Sequence, residues 1–162
     1  MNELLRQQYD PDLNYNDILD LSDTFSCKYY TCDTFKQSLS DNVKQSISII
    51  SFNIRSFNKN SDEFLGFLAN TDHDFDIIIL TETWGKDETQ SLINIPGYIA
   101  THNYRDSKRG GGVSIFVRDF FAFEILEEVN ISNPNIESVG IKLSLPNSQL
   151  TINILGIYVT DF

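Results

Sequence analysis

Two short β-branched runs bracket one amphipathic stretch, and this arrangement narrows the folds open to the chain more than any other feature. Ile47-Ser48-Ile49-Ile50-Ser51-Phe52 stops at Asn53, and Ile77-Ile78-Ile79-Leu80-Thr81 stops at Glu82. Such runs read as strands covered on both faces, as inside parallel sheets. Between them, Ser61 and Asp62 are suited to cap a helix with apolar positions Phe64, Leu65, Phe67 and Leu68, which Asn70-Thr71-Asp72 ends. Parallel strands need such a crossover, normally right-handed. It brings Asn53 and Glu82 to one edge of the sheet. The carboxyl ends of such strands are where α/β proteins place their chemistry. An amide oxygen and a carboxylate meeting there are suitable ligands for Mg²⁺.

Beyond Trp84 the pattern turns antiparallel. Residues 96–101, 113–118, 123–127, 139–145 and 150–158 read as strands. The last two form a hairpin about Pro146-Asn147-Ser148, and 123–127 is close enough in sequence to pair with 113–118. One parallel crossover followed by antiparallel strands predicts an α/β fold: a partial α/β sandwich of mixed β-sheet with flanking helices, not a Rossmann fold.

Residues 1–45 are rich in Asp, Asn, Ser, Gln and Tyr and keep no period beyond a short turn at residues 17–21. They are expected to be a polar, mobile leader, with binding to a partner as the alternative. Residues 46–162 form the predicted domain. A net charge of −11 argues against a free-standing nucleic-acid binder, since phosphate contacts need a basic face. It leaves open a phosphodiesterase whose cations bridge an acidic site to phosphate. Arg105, Lys108 and Arg109 are the one dense basic cluster; the readings are a grip on a DNA backbone or a solvated loop. Cys27 and Cys32 make neither a disulfide framework nor a zinc site. With no apolar run of membrane-spanning length and no signal peptide, an intracellular protein is expected, the nucleus included.

Four pieces stand in order: Ser51-Phe52-Asn53-Ile54-Arg55-Ser56, Thr81-Glu82-Thr83-Trp84, Arg109-Gly110-Gly111-Gly112-Val113 and Gly156-Ile157-Tyr158-Val159. Together they resemble the N-terminal half of the endonuclease/exonuclease/phosphatase superfamily, whose fold is deoxyribonuclease-I-like. The nearest resemblance is to the apurinic-endonuclease-like domain of non-LTR retrotransposons, and it covers about residues 47–162. It implies that Asn53 is the family's strand-end Asn, Glu82 its metal-binding Glu and Tyr158 its active-site Tyr. It further implies Mg²⁺ as cofactor, DNA as the partner of the intact enzyme, and a nicked strand that primes reverse transcription as the product. In that chemistry Mg²⁺ neutralises phosphate charge, Glu82 is its anionic ligand, Asn53 fixes the metal or a phosphate oxygen, and Tyr158 donates a hydrogen bond to phosphate. On pattern alone, Glu82 reads equally as a solvated carboxylate, Asn53 as a turn-former and Tyr158 as a packed aromatic.

The resemblance also implies a second half with a Gly-Asp-x-Asn strand end, further carboxylates and a late Asp-His pair. The sequence ends four residues after Tyr158, and Asp72-His73 falls far too early to be that pair. Thr160 stands where the family often has Pro. The chain is therefore expected to be a truncated form, inactive as a nuclease alone, and to associate with a missing C-terminal half or with itself through exposed strands. The alternatives are an inactive remnant serving as an interaction module, and a phospholipid or inositol phosphate phosphodiesterase.

Overall fold

The computed structural model describes residues 29–38, 47–105, 110–146 and 149–160. The chain divides into two compact units, Met1–Thr31 and Cys32–Phe162. Of the first, only residues 29–31 are described, and they form neither helix nor strand. Most of the expected leader, including its turn at residues 17–21, lies outside the described residues. Within it, however, stands a short helix, α1 (Cys32–Ser38), whose Phe35 ring stacks on Phe75 at 6.0 Å. A single apolar anchor in polar sequence leaves no period to read.

Strand β1 (Ile49–Asn53) pairs in parallel with β2 (Ile77–Thr81), with Asn53 opposite Thr81. The crossover between them is helix α2 (Phe57–Thr71). It starts several residues before the expected Ser61-Asp62 cap. The reason lies in its first amides: Ser56 and Phe57 N–H groups donate to the Glu82 and Thr83 carbonyls (2.7 and 2.9 Å). The Asn60 side chain then donates to the Ile54 and Arg55 carbonyls (2.8 and 3.0 Å), closing the entry turn. At the other end of the strands, Asp76 Oδ2 accepts both the N–H and the hydroxyl of Ser48, each at 2.8 Å. These bonds set the β1–β2 register.

Strands β3 (Tyr98–Asn103) and β4 (Val113–Arg118) complete a four-stranded mixed sheet of order β1-β2-β4-β3. A second, antiparallel sheet has the order β5 (Ala122–Ile125), β6 (Ile136–Ser144), β7 (Thr151–Val159). This corrects the pairing expected for residues 123–127. Segment β5 leaves β4 for the other sheet and pairs Phe123 with Leu143 and Ile125 with Ile141. The chain turns that corner on Phe121, buried in the core between the sheets.

Alternation along β2 and β4 feeds two cores. Ile78, Leu80 and Phe116 pack with Phe57 and Phe64 of α2 on one face. Ile77, Val113, Ile115 and Val117 pack with Val139, Ile141, Leu143 and Ile154 of the second sheet on the other. Full burial of each such side chain contributes about 1.5–3 kcal/mol. The fold is thus the expected mixed α/β sandwich, one helix layer over two sheets. At the edges, β7 turns Leu155, Ile157 and Val159 outward, each about half exposed, and Ile49 on β1 is similarly open. Among the described residues no helix is long and apolar enough to cross a membrane.

Candidate functional site

Asn53 and Glu82 end adjacent strands, and the parallel register brings their side chains into contact. Asn53 Nδ2 donates to Glu82 Oε1 at 3.1 Å, while Asn53 Oδ1 accepts the Arg55 N–H at 3.3 Å. Tyr158, at the end of β7, reaches across from the second sheet and donates its hydroxyl to the same Glu82 oxygen at 2.8 Å. Two residues widely separated in sequence thus converge on the Glu82 carboxylate. Gly156 permits this approach, since a Cβ there would lie 2.9 Å from Val113 Cγ1 and 3.0 Å from Ile79 Cγ2.

The rim is locally strained. Arg55, Ser56, Glu82 and Trp84 all have positive φ, at 48°, 90°, 53° and 54°. Non-glycine residues in the left-handed region carry an energetic cost and cluster at functional sites. The Glu82-Thr83-Trp84 turn is held on its carbonyl side by the head of α2. On its amide side, Thr83 and Trp84 N–H groups donate to the Gly112 and Gly111 carbonyls at 3.3 and 2.9 Å. Gly111 and Gly112 are therefore a backbone clamp that leads into β4.

Electrostatics set the roles. Partial burial, then the bond to the Glu82 carboxylate and its charge, push the Tyr158 phenol above its ordinary value. At neutral pH Tyr158 is a hydrogen-bond donor. Burial pushes His102 down to about 4, so it is a neutral, partly buried strand residue, with Nδ1 2.8 Å from Ser114 Oγ. Asp72 and His73 precede β2 whereas Glu82 follows it, so a full strand, roughly 16 Å, separates that pair from the site.

The basic cluster is not as the sequence suggested. Arg105 pairs through Nε with Glu137 Oε1, and its side chain is only 7% exposed, so its charge is spent inside the protein. Lys108 and Arg109 lie outside the described residues. Glu137 was missed because β6 begins at Ile136, three residues before the strand read from sequence. The available signal was its position in step with Val139, Ile141 and Leu143, a carboxylate on an otherwise apolar face.

Among the described residues, no group of three or more His, Cys, Asp or Glu side chains gathers into a metal cage. The donors at the rim are one carboxylate, one amide and one phenol. Such a hard-oxygen set fits Mg²⁺, which keeps several waters and is commonly held by one or two carboxylates. The Asn53 amide as placed supplies its NH₂ to Glu82, and a half-turn of the amide would present Oδ1 instead.

A helix layer and two sheets whose strand ends gather an acid, an amide and a phenol define a class of α/β sandwich with its chemistry at one rim. Residues 50–154 match the Endonuclease/Exonuclease/phosphatase family, and the chain belongs to it. That span contains Asn53 and Glu82 and ends just before Tyr158. No curated protein matches the sequence. Two similar solved structures are of NExo from Neisseria. One is the 3' phosphatase bound to a product DNA hairpin, at 17% identity and a TM-score of 0.46, matched over 70% of this chain and 41% of that one. The other is the 3'-5' exonuclease from Neisseria meningitidis, at 17% identity and a TM-score of 0.45, over 69% and 41%. The chain spans about two fifths of their length.

Proposed function

We propose that this chain is part of a Mg²⁺-dependent phosphodiesterase that acts on DNA, a nicking endonuclease of non-LTR retrotransposon type. One observation carries the reading: the Glu82 carboxylate stands at the carboxyl end of a central strand, held by Asn53 and by Tyr158 from opposite sheets. Among the described residues both bonds fall on Oε1, which supports Oε2 as the oxygen offered to a cation. Family membership supports phosphodiester chemistry and a divalent metal. The four motifs of the sequence support the retrotransposon type.

When bound, Mg²⁺ supplies Lewis-acid neutralisation of phosphate charge. The residues present do the rest of this half of the work. Glu82 is the anionic anchor, and Asn53 fixes its orientation without adding charge. Tyr158, kept protonated, would donate its hydroxyl to a phosphate oxygen. Lys108 and Arg109 would face the DNA backbone. Arg105, buried against Glu137, contributes through the interior.

The test is duplex-oligonucleotide binding followed by fluorescence anisotropy, with Mg²⁺ and with chelator. With a net charge of −11, binding is expected only with Mg²⁺, and Glu82→Gln should abolish it. Binding that ignores both the chelator and Glu82→Gln would end the reading. Mg²⁺-dependent binding of anionic lipid vesicles without DNA binding would move it to a phospholipid substrate.

A further inference from the structure

We propose that Glu137 is a positioning residue for the rim. Its buried carboxylate fixes the Gly110–Gly112 segment, and through it the turn that aims Glu82. Glu137 is fully buried on the inner face of β6. An ionised carboxylate in such a place is costly unless paired and hydrogen-bonded. Its two oxygens are divided: Oε1 takes Arg105 Nε, and Oε2 takes the Gly112 backbone N–H at 2.8 Å. A pair arranged for stability alone would set both oxygens against the guanidinium fork. Here Arg105 Nη2 is buried with no acceptor among the described residues, and the second oxygen goes to the glycine loop.

The loop is moulded on that carboxylate. A Cβ on Gly111 would lie 2.5 Å from each Glu137 oxygen, and one on Gly112 would lie 2.5 Å from Thr83 Oγ1. Gly111 and Gly112 in turn accept the Trp84 and Thr83 N–H groups. Glu82 and Trp84 hold a left-handed backbone that persists only when its surroundings over-determine it. The head of α2 fixes the carbonyl side of this turn, and the glycine segment takes the Thr83 and Trp84 N–H groups on the amide side. Glu137 is also the cross-strand neighbour of Tyr158, which donates to Glu82. Two of the supports of Glu82, the Tyr158 hydroxyl and the glycine side of its turn, therefore pass beside Glu137.

Trp84 is the one tryptophan of the chain, so it reports on this turn without interference. The experiment compares wild type and Glu137→Gln by acrylamide quenching of Trp84 and by Mn²⁺ titration, with far-ultraviolet dichroism to establish folding. Expected are a folded variant, more accessible Trp84 fluorescence, and Mn²⁺ binding weakened about tenfold, the usual loss when a group that orients a ligand is removed. The Mn²⁺ arm rests on the proposed metal role of Glu82. Wild-type protein that binds no Mn²⁺ in a Glu82-dependent way would end that role, and quenching alone would then decide on Glu137. A folded Glu137→Gln with a lower urea midpoint but wild-type quenching would overturn the proposal, because a purely structural carboxylate behaves so. If Glu137→Gln does not fold, Glu137→Asp is read in the same way. It keeps the charge for Arg105 but draws the carboxylate back from Gly112.

Discussion

The two ends of the β1–β2 pair are built on opposite principles. At the amino end, Asp76 ties both strands together through Ser48, and the Asp76 carbonyl takes the Arg118 N–H of β4. The backbone in that clamp is relaxed, and its bonds close on themselves. At the carboxyl end, positive-φ residues crowd into the two segments that carry Arg55, Ser56, Glu82 and Trp84, and a charged pair is buried beneath them. One end holds the fold in register. The other end spends stability to keep a carboxylate in a fixed place. This is the division expected where strain is retained for function and compensated elsewhere.

The strongest way to break this comparison is to fill the clamp at the strained end. Gly111→Ala places a Cβ 2.5 Å from the Glu137 carboxylate, at a backbone φ of 74°. Strain and displacement of a buried charge together should cost about 3 kcal/mol, measured by urea unfolding. A loss below about 1 kcal/mol would mean that the loop is slack and the contrast between the ends is false.

Next in size is the relaxed end. Asp76→Ala removes two charge-assisted acceptor bonds and should cost about 2 kcal/mol. Asp76→Asn, which retains an acceptor, should lose less than half of that. The sharper point is what stays constant. Mn²⁺ affinity of the folded protein should not change in either variant, because the clamp lies a full strand from Glu82. A change in metal affinity would show that the two ends are coupled through register.

Acid provides a third comparison, since the strained end also contains His102. Burial holds this imidazole near 4, well below its value in the unfolded chain, so the unfolded state binds more protons between these limits. Its contribution is intact above about pH 6.5 and is lost as pH falls toward 4. Allowing for the ring's residual exposure, it should remove on the order of 1.5 kcal/mol between pH 7 and pH 5. His102→Gln should flatten that part of the stability curve, and an unchanged slope would remove His102 from the account.

The same contrast explains what could be read from sequence. Strands β2 and β4 were legible because β-branched residues at central positions serve two cores at once; β1, read in the same way as a strand covered on both faces, is instead an edge strand on which only Ile50 is partly buried. The β6–β7 hairpin was legible because two alternating runs flank a short polar segment opened by Pro146; Asn147 and Ser148 of that segment lie outside the described residues. The partner of β5 was not, because β4 is near in sequence and nothing local says that Phe121 takes the chain across to another sheet. Helix α1 was hidden by its polar composition. Asn53, Glu82 and Tyr158 stood out because each ends a readable strand, and the register then brings them together. Arg105 misled because charge in a polar loop reads as solvated, whereas its partner Glu137 sits 32 positions away on an apolar face. Pairing across that separation is decided by tertiary structure alone.

The smallest effect on stability should come from the residue at the centre of the rim. Glu82 accepts bonds from Asn53 and Tyr158, so a stabilising role would predict a substantial loss for Glu82→Gln. The geometry argues otherwise. Asn53 and Tyr158 are not sealed from water, and a glutamine oxygen still accepts from either of them. Removing the charge also relieves repulsion in a chain of net charge −11. Stability should therefore change by no more than about 0.5 kcal/mol in either direction, while Glu82-dependent Mn²⁺ binding disappears. A loss of about 2 kcal/mol or more would reassign Glu82 to the fold, and the two ends of the strand pair would then differ in degree rather than in kind.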